Sequence, residues 1–129
     1  MVMQTYAVSN GVPKRRAAEQ LGRQAERDVA SLLQARGFKI LAQRQKTSGG
    51  EIDLIAANQD ILVFVEVKAR PSLAQAAYAL SARQQMRLWQ AAEITLAQHP
   101  HWARSGIRFD AALVTHGGIE IIEDIIRLH

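Results

Sequence analysis

The segment Ile61-Leu62-Val63-Phe64-Val65 is apolar at every position and runs directly into Glu66-Val67-Lys68. Side chains alternate between the faces of a strand, so a strand with no polar alternation must be covered on both sides. Ile61 to Lys68 is therefore predicted as the central strand of a sheet enclosed by other layers. The same segment carries a cost. Glu66 and Lys68 share one face at the end of a buried strand, and removing a carboxylate and an ammonium from water is expensive unless something compensates.

The rest of the chain supplies the layers. Leu21, Ala25, Val29, Leu32 and Leu33 follow the helical period, which predicts a helix over 17–36 with Gly37 as the residue that ends it. Strands are expected over 38–44 and 51–56, joined by the turn Thr47-Ser48-Gly49-Gly50, with a hairpin connection at Ala57 to Asp60. The Ala-rich stretch 72–80 reads as a loop or a short helix. Ser81 and Gln84 fit a capping box, so a second long helix is expected over 81–98, closed by Pro100. Strands over 106–115 and 119–126 flank Gly117-Gly118. The order αβββαββ predicts an α/β domain with a mixed sheet flanked by helices. Residues 1–16 show no period and contain Gly11, Pro13 and Lys14-Arg15-Arg16, which reads as a flexible basic arm ahead of a domain at 17–129.

Composition narrows the chemistry. The chain has 129 residues, enough for one core, and no cysteine, which excludes disulfides, thiolate metal sites and a cysteine nucleophile. No apolar run approaches the roughly 20 residues of a membrane span, and the start lacks a signal-peptide pattern. A cytoplasmic protein with no membrane partner is expected. Charge is uneven: residues 1–50 hold nine Lys/Arg and three acids, whereas residues 51–129 hold seven Lys/Arg and nine acids. A basic N-terminal part attracts polyanions, of which nucleic acid is the commonest in that compartment.

The acids of the second part are gathered. Glu51 and Asp53 share a strand face, Glu66 and Lys68 share another, and the hairpin between Asp53 and Glu66 brings the strands side by side. Two converging carboxylates beside a lysine suit a hard cation such as Mg²⁺, which takes oxygen ligands and keeps several waters. Such a cation polarises a phosphoryl oxygen and helps generate hydroxide. A lysine nearby orients water or stabilises an anionic transition state. The competing account is an ion pair capping the strand end. Glu26 falls at the edge of the apolar stripe of the first helix, between that stripe and a basic row of Arg16, Arg23 and Arg27. Alone, it reads as an exposed helix acid.

These residues resemble a known family. Gly50-Glu51-Ile52-Asp53-Leu54-Ile55, followed by Val63-Phe64-Val65-Glu66-Val67-Lys68-Ala69-Arg70, looks like the YraN-type family of small bacterial proteins. That family is similar to archaeal Holliday-junction resolvases and sits in the restriction-endonuclease-like superfamily, whose core motif is an acid, a variable gap, then acid-x-Lys. Gly22-x-x-Ala25-Glu26-x-x-Val29-Ala30 resembles the family's first motif, which makes Glu26 a further metal-binding or water-holding acid. Arg108-Phe109-Asp110 resembles a family strand motif of structural or supporting role. The resemblance covers about residues 20–115.

It implies a restriction-endonuclease-like domain that cuts DNA phosphodiester bonds with Mg²⁺ or Mn²⁺, branched or structured DNA being the implied substrate. Asp53, Glu66, the Val67 carbonyl and Glu26 would serve the metal, and Lys68 the water or the developing charge. Arg16, Arg23, Arg27 and Lys46 are candidate phosphate contacts. Cutting a symmetric junction takes two sites, which suits a homodimer. Two features depart from the family. Gln84 stands where a lysine is usual, and residues 122–129 lack the usual ending. They keep two other readings open: an inactive nucleic-acid-binding module on a nuclease fold, and a protein-interaction domain whose acids and lysine form a structural ion-pair cluster.

Other motifs carry less. His99-Pro100-His101 offers two imidazoles where zinc sites use three or four ligands, and reads as a surface turn. Ser48-Gly49-Gly50 lacks the P-loop lysine pattern. Trp89 lies on an apolar helix face and reads as core, with Trp102 open between core and base stacking. Arg108 and Asp110 read as an internal ion pair, and Glu120, Glu123 and Asp124 as exposed acids.

Overall fold

A computed structural model describes residues 14–126. Helix α1 (Lys14–Ala35) leads into a β-meander, β1 (Lys39–Thr47), β2 (Gly50–Ala57) and β3 (Ile61–Ala69). Two helices follow, α2 (Leu73–Tyr78) and α3 (Ala82–Gln98), then a 3₁₀ turn (Pro100–Trp102) and the last strands, β4 (Gly106–Thr115) and β5 (Gly118–Ile122). The five strands lie in sequence order in one sheet, antiparallel except for the parallel pair β3–β4. A parallel pair needs a long crossover, and α2 and α3 provide it. The fold is α/β with a mixed sheet and three helices, compatible with the restriction-endonuclease-like architecture.

The apolar strand sits where its composition demands. Leu62, Val63, Phe64 and Val65 are fully buried at the centre of the sheet. Val63 and Val65 pack with Leu54 and Ala56 under Ala25, Val29 and Leu33 of α1. Leu62 and Phe64 pack with Ile55 and Phe109 under Leu88, Ala91 and Ala92 of α3. Each such aliphatic or aromatic side chain contributes about 1.5–3 kcal/mol on burial. Trp89 joins this second layer, its ring 5.4 Å from Phe109. Trp102 packs against the same layer and stacks on His99 at 4.0 Å.

The local signals act as their chemistry predicts. Gly37, at φ +92°, closes α1 in a paired C-terminal motif, with Phe38 N–H donating to Leu33 O and Gly37 N–H to Gln34 O. Ser81 caps α3 by accepting from Gln84 N–H at 3.1 Å. The Ala-rich stretch resolves into the short helix α2, capped by Ser72. The basic arm expected over 1–16 lies outside the described residues as far as residue 13, and residues 14–16 form the start of α1.

The last strand is shorter than its apolar pattern predicts. Arg108 holds the fully buried Asp110 through bonds of 2.9 Å from Nε and Nη2. Asp110 Oδ1 also accepts from Asp124 N–H, and Phe109 O accepts from Ile125 N–H. Asp124 adopts φ +60°, so the chain turns out of the ladder after Ile122 and folds Ile125 and Ile126 onto the α3 layer. Glu123 is exposed, as expected, and its carboxylate lies 3.4 Å from Arg108 Nη1. Among the described residues, no helix is long and apolar enough to cross a membrane.

Candidate functional site

The site forms where β2 and β3 stop pairing. Their ladder runs from Ala57–Leu62 to Leu54–Val65 and ends there. Beyond it a side chain takes over from the backbone: Asp53 Oδ2 accepts from Val67 N–H at 2.7 Å. The alternation of β2 slips at the same place. Ile52 and Ile55 both pack in the α3 layer and Leu54 in the α1 layer. Asp53 sits at that slip, and its carboxylate reaches across the sheet to β3. A residue's N–H and C=O lie on one side of its strand, so the Val67 carbonyl faces the same gap.

On the other side of β2, Gln43 pairs with Leu54 and Gln45 with Ile52, which leaves Arg44 across from Asp53. Arg44 has φ +53°, a left-handed conformation uncommon for a residue with a Cβ. Its guanidinium stands 3.6 Å from Glu51 and 4.0 Å from Glu26. The hairpin turn is drawn against α3. Thr47 Oγ1 bonds both Gly49 N–H and Gly50 O, and a Cβ on Gly49 would meet Ile94 at 3.0 Å. This approach closes a cavity of about 300 Å³ whose walls include Asp53, Glu66, Val67, Lys68, Gln84 and Arg87.

Glu66 is the most constrained group in it. It is 6% exposed, with Lys68 Nζ 4.0 Å from Oε1 and Gln84 Nε2 donating to Oε2 at 3.2 Å. Burial pushes its carboxyl up to about 8, reinforced by a hydrogen bond to Asp53 and by the Asp53 charge, while Lys68 and Gln84 pull the other way. Glu26 is also raised, by burial first and then by Asp53, against the pull of Arg44. Glu26 therefore feels Asp53 from α1 without forming part of the cavity wall.

Two of the predicted acids, the lysine and the Val67 backbone thus come together, with Glu26 adjacent. Among the described residues no group of three or more His, Asp or Glu side chains is arranged around one point to hold a metal; Asp53 and Glu66 are a pair. The donor set nevertheless fits a hard divalent cation. Two carboxylates and a carbonyl are all-oxygen ligands, and Mg²⁺ typically keeps waters in its remaining positions. Neighbouring carboxylates repel, and a cation between them would offset that repulsion.

Of the candidate phosphate contacts, Arg16, Arg23, Arg27 and Lys46 are all exposed. Arg23 acts on Glu26 and Lys46 pairs across from Glu51. Arg27 bonds Gln24 within α1, and neither it nor Arg16 lines the cavity. Sequence reasoning missed Arg44, noted Arg87 only as a basic residue close to Gln84, and took Gln84 only as a cap partner and a departure. The backbone of Gln84 does cap against Ser81, but its side chain turns to Glu66. The spacing of Gln84 and Arg87, three apart on one helix, was the available signal.

An α/β domain with a mixed sheet and a buried glutamate paired with a half-buried aspartate beside a lysine, at the point where two strands part, is the class defined by this fold and site. Within that class the chain belongs to the uncharacterised protein family UPF0102, the YraN-type family, which residues 25–114 match. It is similar to a UPF0102 protein of Acidiphilium cryptum (strain JF-5), with 48% identity over 113 residues, 88% of each chain. It is also similar to a UPF0102 protein of Azorhizobium caulinodans, with 47% identity over 116 residues, 89% of this chain and 88% of the relative. A relative from Bradyrhizobium sp. (strain BTAi1 / ATCC BAA-1182) is 52% identical over 102 residues, 79% of this chain and 75% of its own.

Proposed function

We propose that this protein is an endonuclease that hydrolyses DNA phosphodiester bonds with Mg²⁺ or Mn²⁺. One observation carries the reading. Glu66 is buried against the half-buried Asp53 and Lys68 in an open cavity, a costly arrangement that an ion pair alone does not require. Asp53, Glu66 and the Val67 carbonyl would hold the cation, which when bound supplies Lewis acidity at a phosphoryl oxygen and lowers the pKa of water. Val67 N–H fixes the Asp53 carboxylate. Gln84 orients Glu66. Lys68 Nζ offers a donor to the attacking water or to charge developing on the phosphate. Arg44 keeps Glu26 and Glu51 from adding uncompensated negative charge at the entrance. Arg87, Arg23 and Lys46 attract the backbone without reading bases. A cytoplasmic location and a homodimer that presents two such sites belong to the same proposal.

The test is cleavage of duplex, single-stranded, flap and four-way-junction DNA with Mn²⁺ and then Mg²⁺. Wild type should cut at least one of these. Asp53→Asn and Glu66→Ala, from matched preparations, should lose cutting by at least about 100-fold while remaining folded. Equal cutting by wild type and both variants would remove the site assignment. Salt-sensitive binding without cutting would support an inactive binding module instead. The neutral Gln84 in the cavity is the observation that favours that second reading.

A further inference from the structure

A second hollow is built differently. It is a shallow groove of about 460 Å³ over α2, lined by Arg70, Pro71, Ala74, Gln75, Tyr78 and Ala79. Tyr78 is 90% exposed, the highest of the large hydrophobic side chains among the described residues. Arg70 is exposed as well, its Nη1 holding the Ala69 carbonyl at 2.7 Å. An aromatic ring left in water and a planar cation on one mostly apolar hollow present surfaces on which a flat ring can stack.

Both ends of the groove are tied to the candidate site by short stretches of chain. β3 delivers Lys68 to the acidic cavity, and Arg70 lies two residues further along the chain, about 7 Å away. On the other side, Tyr78 precedes the α3 cap Ser81 by three residues, and the first turn of α3 sends Gln84 to Glu66. A polyanion whose phosphate lay at Lys68 would have this groove within reach of its neighbouring residues. Exposed Arg70, Arg83 and Arg87 match its charge.

We propose that the Tyr78–Arg70 groove seats one unpaired nucleobase of DNA next to the bond to be cut. The proposal rests on the phosphodiester reading above and narrows its substrate. Bases inside a duplex already have both faces stacked, so a ring platform of this kind reaches only a base that is free of its partner. The groove selects DNA with an unpaired nucleotide beside the cleaved phosphate, such as a flap, a gap, a branch point or a single strand, over continuous duplex.

The test separates binding from cutting. Fluorescence anisotropy without divalent cation compares wild type, Tyr78→Ala and Tyr78→Phe on single-stranded, flap and duplex oligodeoxynucleotides. 2-Aminopurine placed at successive unpaired positions reports stacking. Tyr78 is so exposed that both variants should melt as wild type does. Tyr78→Ala should weaken binding to single-stranded and flap DNA by on the order of 10-fold and leave duplex binding unchanged. Tyr78→Phe should restore it, and one 2-aminopurine position should be quenched by wild type and not by Tyr78→Ala. Equal affinities for all three proteins on every DNA, with no quenched position, would overturn the base seat even where wild type cuts. Tyr78-dependent binding by a wild type that cuts nothing would support the seat and overturn the nuclease reading alone.

Discussion

Glu66 shows what one residue must tolerate to serve a site. Its carboxyl is held near 8 by burial and by Asp53, against about 4.5 in the unfolded chain. The folded state therefore binds more protons than the unfolded state between those values, and stability falls as pH rises across that window. Thermal melting should show this group's contribution to Tm highest at the acid end of that window and lost toward pH 8. Glu66→Gln should flatten that fall and melt above wild type at pH 8. A divalent cation needs the deprotonated carboxylate, so its apparent affinity should increase from pH 6 to pH 8 in a calorimetric titration, with proton release. Arg44 makes a complementary point. Its role across from Asp53 depends on a left-handed backbone that nothing in Gln43-Arg44-Gln45 announces.

At the scale of elements, the site depends on the hairpin turn reaching α3. Gly50 holds φ +137° with its Cα side facing the Arg87 carbonyl, where a Cβ would lie 4.0 Å away. Backbone conformation rather than space excludes a side chain there. Gly50→Ala should cost about 1–3 kcal/mol in urea unfolding, and cutting should fall further than stability because Glu51 and Asp53 follow directly. Most of the elements were legible beforehand. The helical stripe from Leu21 to Leu33, the uninterrupted strand at Ile61 and the Ser81 cap each depend on neighbours a few residues away. The exception is β5. Its apolar alternation continues to Ile126, but Asp110 and Phe109, distant in sequence, take the backbone N–H groups of Asp124 and Ile125.

Across the whole molecule, that same Asp110 ties β4 to the C-terminal segment. It is fully buried against the half-buried Arg108, so Asp110→Ala would leave that guanidinium only its exposed contact with Glu123, strip the Asp124 N–H of its acceptor and cost about 3 kcal/mol. Urea unfolding checks the loss, and amide exchange at Asp124 and Ile125 should accelerate beyond it. The sheet places its two helical layers so that α1 brings Glu26 to one side of Asp53 and α3 brings Gln84 and Arg87 to the other. Family membership follows from the same residues, since the matched span 25–114 contains the C-terminal half of α1, the meander, α2 and α3.

The sequence by itself determined the central strand, the helix faces and the candidacy of Asp53, Glu66 and Lys68. Periodicity and desolvation cost are properties of short stretches, and they act before any tertiary contact forms. Only the tertiary structure decided how those groups meet. The slip of β2 at Asp53, the turn of Gln84 from its cap to Glu66, Arg44 opposite Asp53 and the exposed ring of Tyr78 beside Arg70 all depend on where strands part and where a helix is set down. Those positions are fixed by packing among residues far apart in the chain, and no local pattern encodes them.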